Sequence, residues 1–388
     1  MSEVRVNNLS NESLSGGPTI SGITTFSSPY LFVPPQGDTV SRPQDCPPGS
    51  LRFNTDSAKL EYFKGNTIGW VEVEASSPEL GGGTGSNTGL GARGIAGGGF
   101  LGIRTMEFVT ISTFGDSQDF GDLTAAGAIH GKQAVATETR MLFSGGYIIN
   151  AIEFITVAST GDSTDFGDMT IRRYGETGVN DTIRGLFCGG ASTTPFVPSH
   201  GGVTNVVDYV TIAQTGNSVD FGDLVHTGFP GASMNSTTRG IIARQNGPVG
   251  PNAIMDTIIT RTLGNAIDFG DCLSDTGSNV SGGACSATRG ILAGGYSSNV
   301  QNIIQYITMA TLGDATDFGD LLNAANNMRG ASSPTRGIFA GGATPSNSNV
   351  IESVQIATTG NSVDFGDMAY VSGVVGQVTC ISNAHGGI

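Results

Sequence analysis

Two short motifs, each recurring six times and always in the same order, constrain this 388-residue chain more than any other feature. DFGD begins at Asp119, Asp165, Asp220, Asp268, Asp317 and Asp364, with successive starts 46, 55, 48, 49 and 47 residues apart. A second motif keeps step with it: ARGIAGGG from Ala92, TRMLFSGG from Thr139, IRGLFCGG from Ile183, TRGIIARQ from Thr238, TRGILAGG from Thr288 and TRGIFAGG from Thr335. A period of this size marks an array of similar supersecondary units, none of which can bury its apolar surface alone. Two motifs in six ordered copies make six units.

Each unit reads as strands separated by turns. TRGIFAGG is a short apolar strand ending in Gly-Gly, where the absent Cβ atoms permit the positive φ of a sharp turn. Next come alternating segments such as NAIEFITVASTG from Asn150, NVVDYVTIAQTG from Asn205 and NIIQYITMATLG from Asn302. In the first, Ile155 and Val157 fall on one face and Phe154 and Thr156 on the other, which is the period of a strand. Apolar residues on both faces predict that both are covered. Gly161-Asp162, Gly216-Asn217 and Gly360-Asn361 predict tight hairpins, after which DFGD opens another strand. The variable stretch from each DFGD to the next TRG, about 15 to 20 residues rich in Ala, Gly and Ser, fits a loop and an inner strand beside a crowded channel.

Units of four strands, covered on both faces, stack around an axis and so close their sheet edges. The expected fold is all-β: a six-bladed β-propeller over residues 92–388, with a smaller N-terminal β element. The chain ends predict the closure. CISNAHGGI, from Cys380, aligns with GASSPTRGI from Gly330 when Gly386 takes the place of Arg336. The segment from about Ser372 should therefore supply the inner strand of the unit that begins at Ala92.

Composition excludes several function classes. Sixty glycines and 13% charged residues suit short, tightly turned strands. A net charge of -15, with only three lysines, excludes nucleic-acid backbone binding. No apolar run is long enough to span a membrane, and the MSEVRVNNLSNES start lacks the basic and apolar blocks of a signal peptide. Cys46, Cys188, Cys272, Cys285 and Cys380 show no CxxC spacing, so neither a disulfide framework nor a zinc site is expected. They read as small buried fillers in a chain made in a reducing cytoplasm. DFG is also the magnesium-binding tripeptide of protein kinases, but a catalytic motif is not needed six times, and the kinase catalytic loop, Gly-rich loop and strand lysine are missing.

Six arginines hold the TRG position: Arg93, Arg140, Arg184, Arg239, Arg289 and Arg336. With the DFGD aspartates they form the repeated charged set, and two readings compete for it. One is a ring of calcium sites built from Asp116, Asp119, Asp122 and their counterparts. The other, favoured because Asn replaces the Asp116 equivalent in three copies, has one Asp capping its own turn and the other pairing with the repeated Arg across a blade interface. His130, His200, His226 and His385 fall in variable loops or at the C-terminus and read as incidental. Neither a two-Tyr, two-His copper set nor a facing pair of carboxylates can be assembled, so no catalytic, cofactor or metal residues are assigned and the chain is expected not to be an enzyme.

The N-terminal region divides into an arm over 1–49, a meander over 50–74 and a Gly/Ser-rich linker over 75–91. In SLRFNTDSAKLEYFKGNTIGWVEVE, Leu51 and Phe53, Leu60 and Tyr62, and Val71 and Val73 line one apolar face, with turns at NTDS and KGN. Three strands make too small a core to stand alone, so this face is expected to meet a copy of itself or another protein.

The repeats resemble kelch units, with Gly341-Gly342 ending the second strand, Tyr306 in the third and Phe365 near the start of the fourth. Phe stands where kelch blades usually carry Trp, and Arg244-Gln245 replaces the glycines in the fourth copy, whose turn must differ. SxDxG from Ser117, Ser163, Ser218 and Ser362 also resembles the Asp-box of sialidase propellers, without its closing Trp. The whole arrangement, from MSEVRVNNLSNES and GPTISGITTFSS through the meander to the TRGIFAGG and DFGD repeats, resembles structural, tail-fibre-like virion proteins of tailed phages that infect marine cyanobacteria. That resemblance implies a chain made in the host cytoplasm and placed in the virion. Residues 1–74 would attach to other virion proteins, and the propeller loops, above all 192–205 and 244–253, would contact a host receptor. It also implies a homo-oligomer, a trimer being one arrangement, with no nucleic acid and no membrane insertion. The alternative is a decoration protein that stabilises capsid or tail without reading a receptor.

Overall fold

The protein, seen in a computed structural model, is described over residues 34–57, 59–73, 92–98, 103–124, 132–146, 149–192, 202–246, 253–273, 282–296, 299–344, 346–369 and 379–388. All regular structure among them is β-strand. The chain forms two compact units, Met1–Ser76 and Ser77–Ile388.

In the larger unit the repeats yield six four-stranded antiparallel sheets of β-propeller-like architecture. Sheet I joins Thr379–Ser382, Arg93–Gly97, Thr105–Thr110 and Gln118–Asp122; sheet II joins Gln133–Ala136, Arg140–Ser144, Ala151–Thr156 and Thr164–Asp168. Sheet III comprises Thr177–Asn180, Arg184–Cys188, Val206–Thr211 and Val219–Asp223, and sheet IV Phe229–Asn235, Arg239–Asn246, Ile254–Ile259 and Ile267–Asp271. Sheet V comprises Gly282–Cys285, Arg289–Ala293, Ile303–Thr308 and Thr316–Asp320, and sheet VI Arg329–Ser332, Arg336–Ala340, Val350–Gln355 and Val363–Asp367. The six first-named, inner strands touch one another in cyclic order, with sheet I against both II and VI.

The apolar core lies between sheets rather than within any one of them. Six buried clusters occupy the six junctions. One packs Leu142, Ile152 and Phe166 of sheet II against Phe187, Val210 and Ile212 of sheet III, and another packs Val109 and Ile111 of sheet I against Ile338, Ile351 and Phe365 of sheet VI. A single sheet, apolar on both faces, has nowhere to put these side chains until both neighbours arrive.

DFGD makes this packing possible. In every outer strand the register slips by one residue at the Phe-Gly step, so that Ile152 faces Gly167 but Glu153 faces Asp165, and the other five sheets repeat the slip. This β-bulge re-aims the Phe into the junction, where all six are 2–3% exposed. The Gly takes φ between 139° and 150°, a region open to glycine and costly for other residues. It also lies against the next sheet: a Cβ on Gly167 would stand 2.4 Å from the carbonyl oxygen of Gly216. The Gly-Gly turns take positive φ as well, 72° at Gly341 and 97° at Gly342. In sheet IV the second strand instead runs on to Asn246, paired with Phe229.

The C-terminal strand closes the ring. Thr379–Ser382 pairs with Gly97–Gly94 in the order Thr379 to Gly97, Ser382 to Gly94. This is the alignment read from CISNAHGGI, although the expected start near Ser372 lies outside the described residues. Side-chain bonds between inner strands reinforce it. Asn180 Nδ2 donates to the Ala136 carbonyl at 2.6 Å, the Asn180 N–H donates to Asn235 Oδ1 at 2.8 Å, and the Asn235 N–H donates to Cys285 Sγ at 3.2 Å. The Cys285 N–H donates to Ser332 Oγ at 3.0 Å, Ser382 Oγ donates to the Ser332 carbonyl, and Asn383 Nδ2 reaches the Glu138 carbonyl at 3.1 Å. Every junction is bridged by a side chain, five at one level and the sheet I–II junction one residue beyond it.

The smaller unit corrects the sequence reading in its strand count. Its sheet has four strands, β1 (Gln36–Gly37), β2 (Leu51–Asn54), β3 (Lys59–Phe63) and β4 (Trp70–Glu72), because β1, from the expected arm, pairs in parallel with β2. Residues 1–33 of that arm and the linker over 75–91 lie outside the described residues. The alternation is as read, and the apolar face expected to meet a partner is the more open one: Leu51 is 43% exposed and Val73 36%. The covered face is polar and aromatic. Glu61 is fully buried and receives Arg42 at 2.7 Å, Arg52 at 3.4 Å and Asn54 Nδ2 at 3.3 Å, while Trp70 Nε1 donates to the Pro43 carbonyl at 3.0 Å. An ion-pair network occupies that face, with Arg52 Nη1 left without a hydrogen-bond partner among the described residues, while the apolar face stays partly uncovered.

Removing Thr379–Ile388 leaves the Arg93–Gly97 edge unpaired and exposes two junction clusters. The truncated chain is expected to lose its cooperative unfolding transition and to elute as aggregates in size-exclusion chromatography, where the full chain gives a single transition.

Candidate functional site

Of the residues singled out by the repeat, the arginines, the bulge Phe and Gly and the turn residues lie at the junctions. Each turn before an outer strand docks on the outer strand of the preceding sheet. The Gly161 N–H donates to the Phe120 carbonyl at 2.6 Å and the Ser163 N–H to the Asp122 carbonyl at 2.9 Å. The side chain after the turn glycine completes the dock: Asp162 Oδ1 accepts the Asp122 N–H at 2.9 Å and Asn217 Oδ1 accepts the Asp168 N–H at 3.0 Å. Asn265, Asp314, Asn361 and Asp116 repeat this. Only one oxygen acceptor is used, which explains why Asp and Asn alternate freely at this position.

This geometry replaces the favoured reading of the charged set. Asp119, Asp165, Asp220, Asp268, Asp317 and Asp364 are exposed on the outer strands, and among the described residues none pairs with a repeated Arg. The arginines turn to main chain instead. Arg93 Nη1 donates to the Val157 carbonyl at 2.7 Å, Arg140 to Ile212 at 3.0 Å, Arg184 to Thr260 at 3.4 Å, Arg239 to Met309 at 3.2 Å, Arg289 to Ile356 at 2.9 Å and Arg336 to Ile111 at 2.8 Å. Each reaches the next sheet, and the last returns to the first. Four stack on an aromatic of their own third strand, as Arg140 does on Phe154 at 4.4 Å and Arg289 on Tyr306 at 4.5 Å. Arg336 stacks on Phe114 of sheet I, and Arg239 has Thr257 in the aromatic's place. Among the described residues no three His, Cys, Asp or Glu side chains group around a point suited to a metal ion.

A second polar ring went unread in the sequence. Glu107, Glu153, Asp208, Asp256, Gln305 and Glu352 hold one position of the third strands and are all at least 95% buried. Each accepts a hydrogen bond from the chain just past the preceding DFGD: the Thr124 N–H to Glu153 at 2.8 Å, the Leu273 N–H to Gln305 at 2.7 Å, the Leu322 N–H to Glu352 at 2.9 Å. Ser163 and Ser362 donate to the same carboxylates at 2.8 and 2.6 Å, which gives the Ser of SxDxG its role. Lys132 adds an ion pair to Glu153 at 2.6 Å and Arg173 one to Asp208 at 3.1 Å, and His226 Nδ1 lies 3.3 Å from Asp256 Oδ1. Burial raises the pKa of Asp208 and Asp256, with Arg173 and His226 opposing it. The signal was available as an acid or Gln at one register of all six alternating strands.

The C-terminal tail fills one end of the channel between inner strands. The Gly386 N–H donates to the Cys285 carbonyl at 3.2 Å, and a Cβ on Gly386 would meet the carbonyls of Ser286 and Asn235. His385, read as incidental, is buried there. Burial pulls its pKa down to about 4, and Nδ1 accepts the Gly387 N–H at 3.1 Å. Near the other end Glu176 is fully buried, and burial pushes its carboxyl up to about 7 against the pull of Arg173. His130, His200, and most of 192–205 and 244–253 lie outside the described residues. Cys188, Cys272 and Cys285 are buried; Cys46 and Cys380 are partly so, and all five are free thiols.

No protein-family model matches the chain, and no curated protein is significantly similar to it.

Two outcomes follow from this geometry. Arg140→Gln removes the bonds to two carbonyls, Ile212 and Ala213, and a ring contact, so urea unfolding should show a loss of about 1–2 kcal/mol, and Arg239→Gln, with one carbonyl bond and no ring beneath it, a smaller one. Glu176 contributes stability that is complete below its ordinary pKa near 4.5 and is lost as pH rises through about 7. His385 contributes stability that is complete above 6.5 and is lost as pH falls through about 4. Each is worth at most about 3 kcal/mol. Urea titrations from pH 4 to 8 should show Glu176→Gln flattening the alkaline decline and His385→Asn the acid one.

Proposed function

We propose that this chain is a non-enzymatic structural protein of a tailed-phage virion: a fibre or appendage component attached through its N-terminal region, displaying a six-bladed, kelch-like propeller for contact with the host surface. The observation that carries the reading is the apolar face of the N-terminal sheet, where Leu51 and Val73 are exposed and Phe53, Leu60, Tyr62 and Val71 are half-buried, in one chain with a ring whose buried polar groups serve sheet-to-sheet contacts. An open apolar face of that kind is what an attachment module offers to a virion partner or to further copies of itself. The kelch-like assignment is supported by the positive-φ Gly-Gly turns and by the edge-on pairs Phe154–Phe166 and Tyr306–Phe318.

Purified chain should compete with phage for adsorption to host cells, and a chain carrying Leu51→Glu and Leu60→Glu should still compete while failing to enter particles. No competition at saturating protein, with the chain found by electron microscopy on the capsid or tail wall, would assign it to decoration instead.

A further inference from the structure

Between the inner strands the channel narrows to a cavity of about 40 Å³, where a single water needs roughly 10–15 Å³. Its walls are mostly main chain and small side chains, including Ala134, Ser233, Gly283 and Gly330. Two long side chains enter it, Gln133 from sheet II and Arg329 from sheet VI, 5% and 6% exposed. Arg329 reaches across the ring, where Nη1 donates to the Gly231 carbonyl at 3.2 Å. Its Nε–H finds no acceptor, and neither does the side-chain nitrogen of Gln133.

A buried guanidinium without a counter-charge is costly, and among the described residues the cavity holds no group that neutralises it. Cys380, beside Arg329, has its thiol pushed up to about 12 by burial and stays neutral. His385 at the far end is neutral above about pH 4. Glu176 is the acid whose field reaches Arg329, but its hydrogen bond comes from Ser144 Oγ at 3.2 Å, and on the acid side of about pH 7 it is protonated. Lys132 and Arg173 are already matched by Glu153 and Asp208. Among the described residues, Arg329 is left as the unbalanced cation of this space.

We propose that this cavity binds a small monovalent inorganic anion of halide size, held by the Arg329 Nε–H and the Gln133 side-chain amide. A single cation suits a monovalent anion better than phosphate or sulfate, whose charge it could not balance, and a bound halide would tie sheets II and VI together through the centre of the ring.

The full chain at pH 6 is titrated with sodium chloride and sodium bromide against sodium sulfate at matched ionic strength, following Tm, and crystals are grown in bromide. A saturable halide-specific rise of about 4 °C at a hundredfold excess over Kd is expected. It should be absent in Arg329→Met and reduced in Gln133→Leu, with bromide anomalous density beside Arg329 Nε. If Arg329→Met does not fold, Gln133→Leu and the anomalous map decide. No saturable rise, an equal rise in either folded variant, or a cavity without bromide overturns the proposal.

Discussion

The larger unit depends on how closely one sheet can approach the next, and the bulge glycine of DFGD sets that distance. Its φ lies in the glycine region, and its face rests on the carbonyl of the neighbouring turn glycine, with about 2.4–2.6 Å left for a Cβ at all six junctions. Any side chain here would part the two sheets along their outer edge. Main-chain bonds from the turn, the acid that accepts from beyond DFGD, and the Arg that reaches a carbonyl of the next sheet all need the same spacing. The apolar clusters need it too, because dispersion falls steeply with a gap of even half an ångström. One residue type at one repeated position thus governs polar and apolar contacts together.

Electrostatics in this chain are local. A net charge of -15 coexists with five buried carboxylates in the third strands, each a heavy desolvation cost if left alone. Main-chain N–H groups from the neighbouring sheet meet that cost, with serine hydroxyls, Lys132, Arg173 or His226 added in individual sheets, and in sheet V the charge is dropped by using Gln305. Carboxylates satisfied this way fix which stretch of one sheet faces which stretch of the next, since a slip would orphan a buried acceptor. The exposed DFGD aspartates play no part in this. Their Phe and Gly carry the packing.

The N-terminal unit reverses the usual arrangement of a small sheet. Its covered face carries Arg52, Asn54 and Glu61, closed by Arg42, and its aliphatic face is open. The alternating pattern in Leu51–Asn54 and Lys59–Phe63 located the strands and separated their two faces correctly. It also marked the apolar face as the one needing a partner, but it did not show that the chain from Asp38 to Ser50 would fold back over the polar face, because a strand with period two is symmetric in that respect.

By itself the sequence determined the number of repeats, the strand order within each, the glycine turns and the closing of the ring by the C-terminal segment. Each of these is written in residue type: only Gly tolerates the turn and bulge geometry, and only a repeated apolar pattern with no core of its own calls for neighbours. Tertiary structure decided the partners. Arg140 and its counterparts bind carbonyls rather than the aspartates that share their period, His385 becomes the plug of a channel, and Glu153 and its counterparts become interface acceptors. The reason is that main-chain donors and acceptors are identical at every residue, so a side chain that pairs with them leaves no complementary letter in the sequence. Only the path of the folded chain brings those groups within reach.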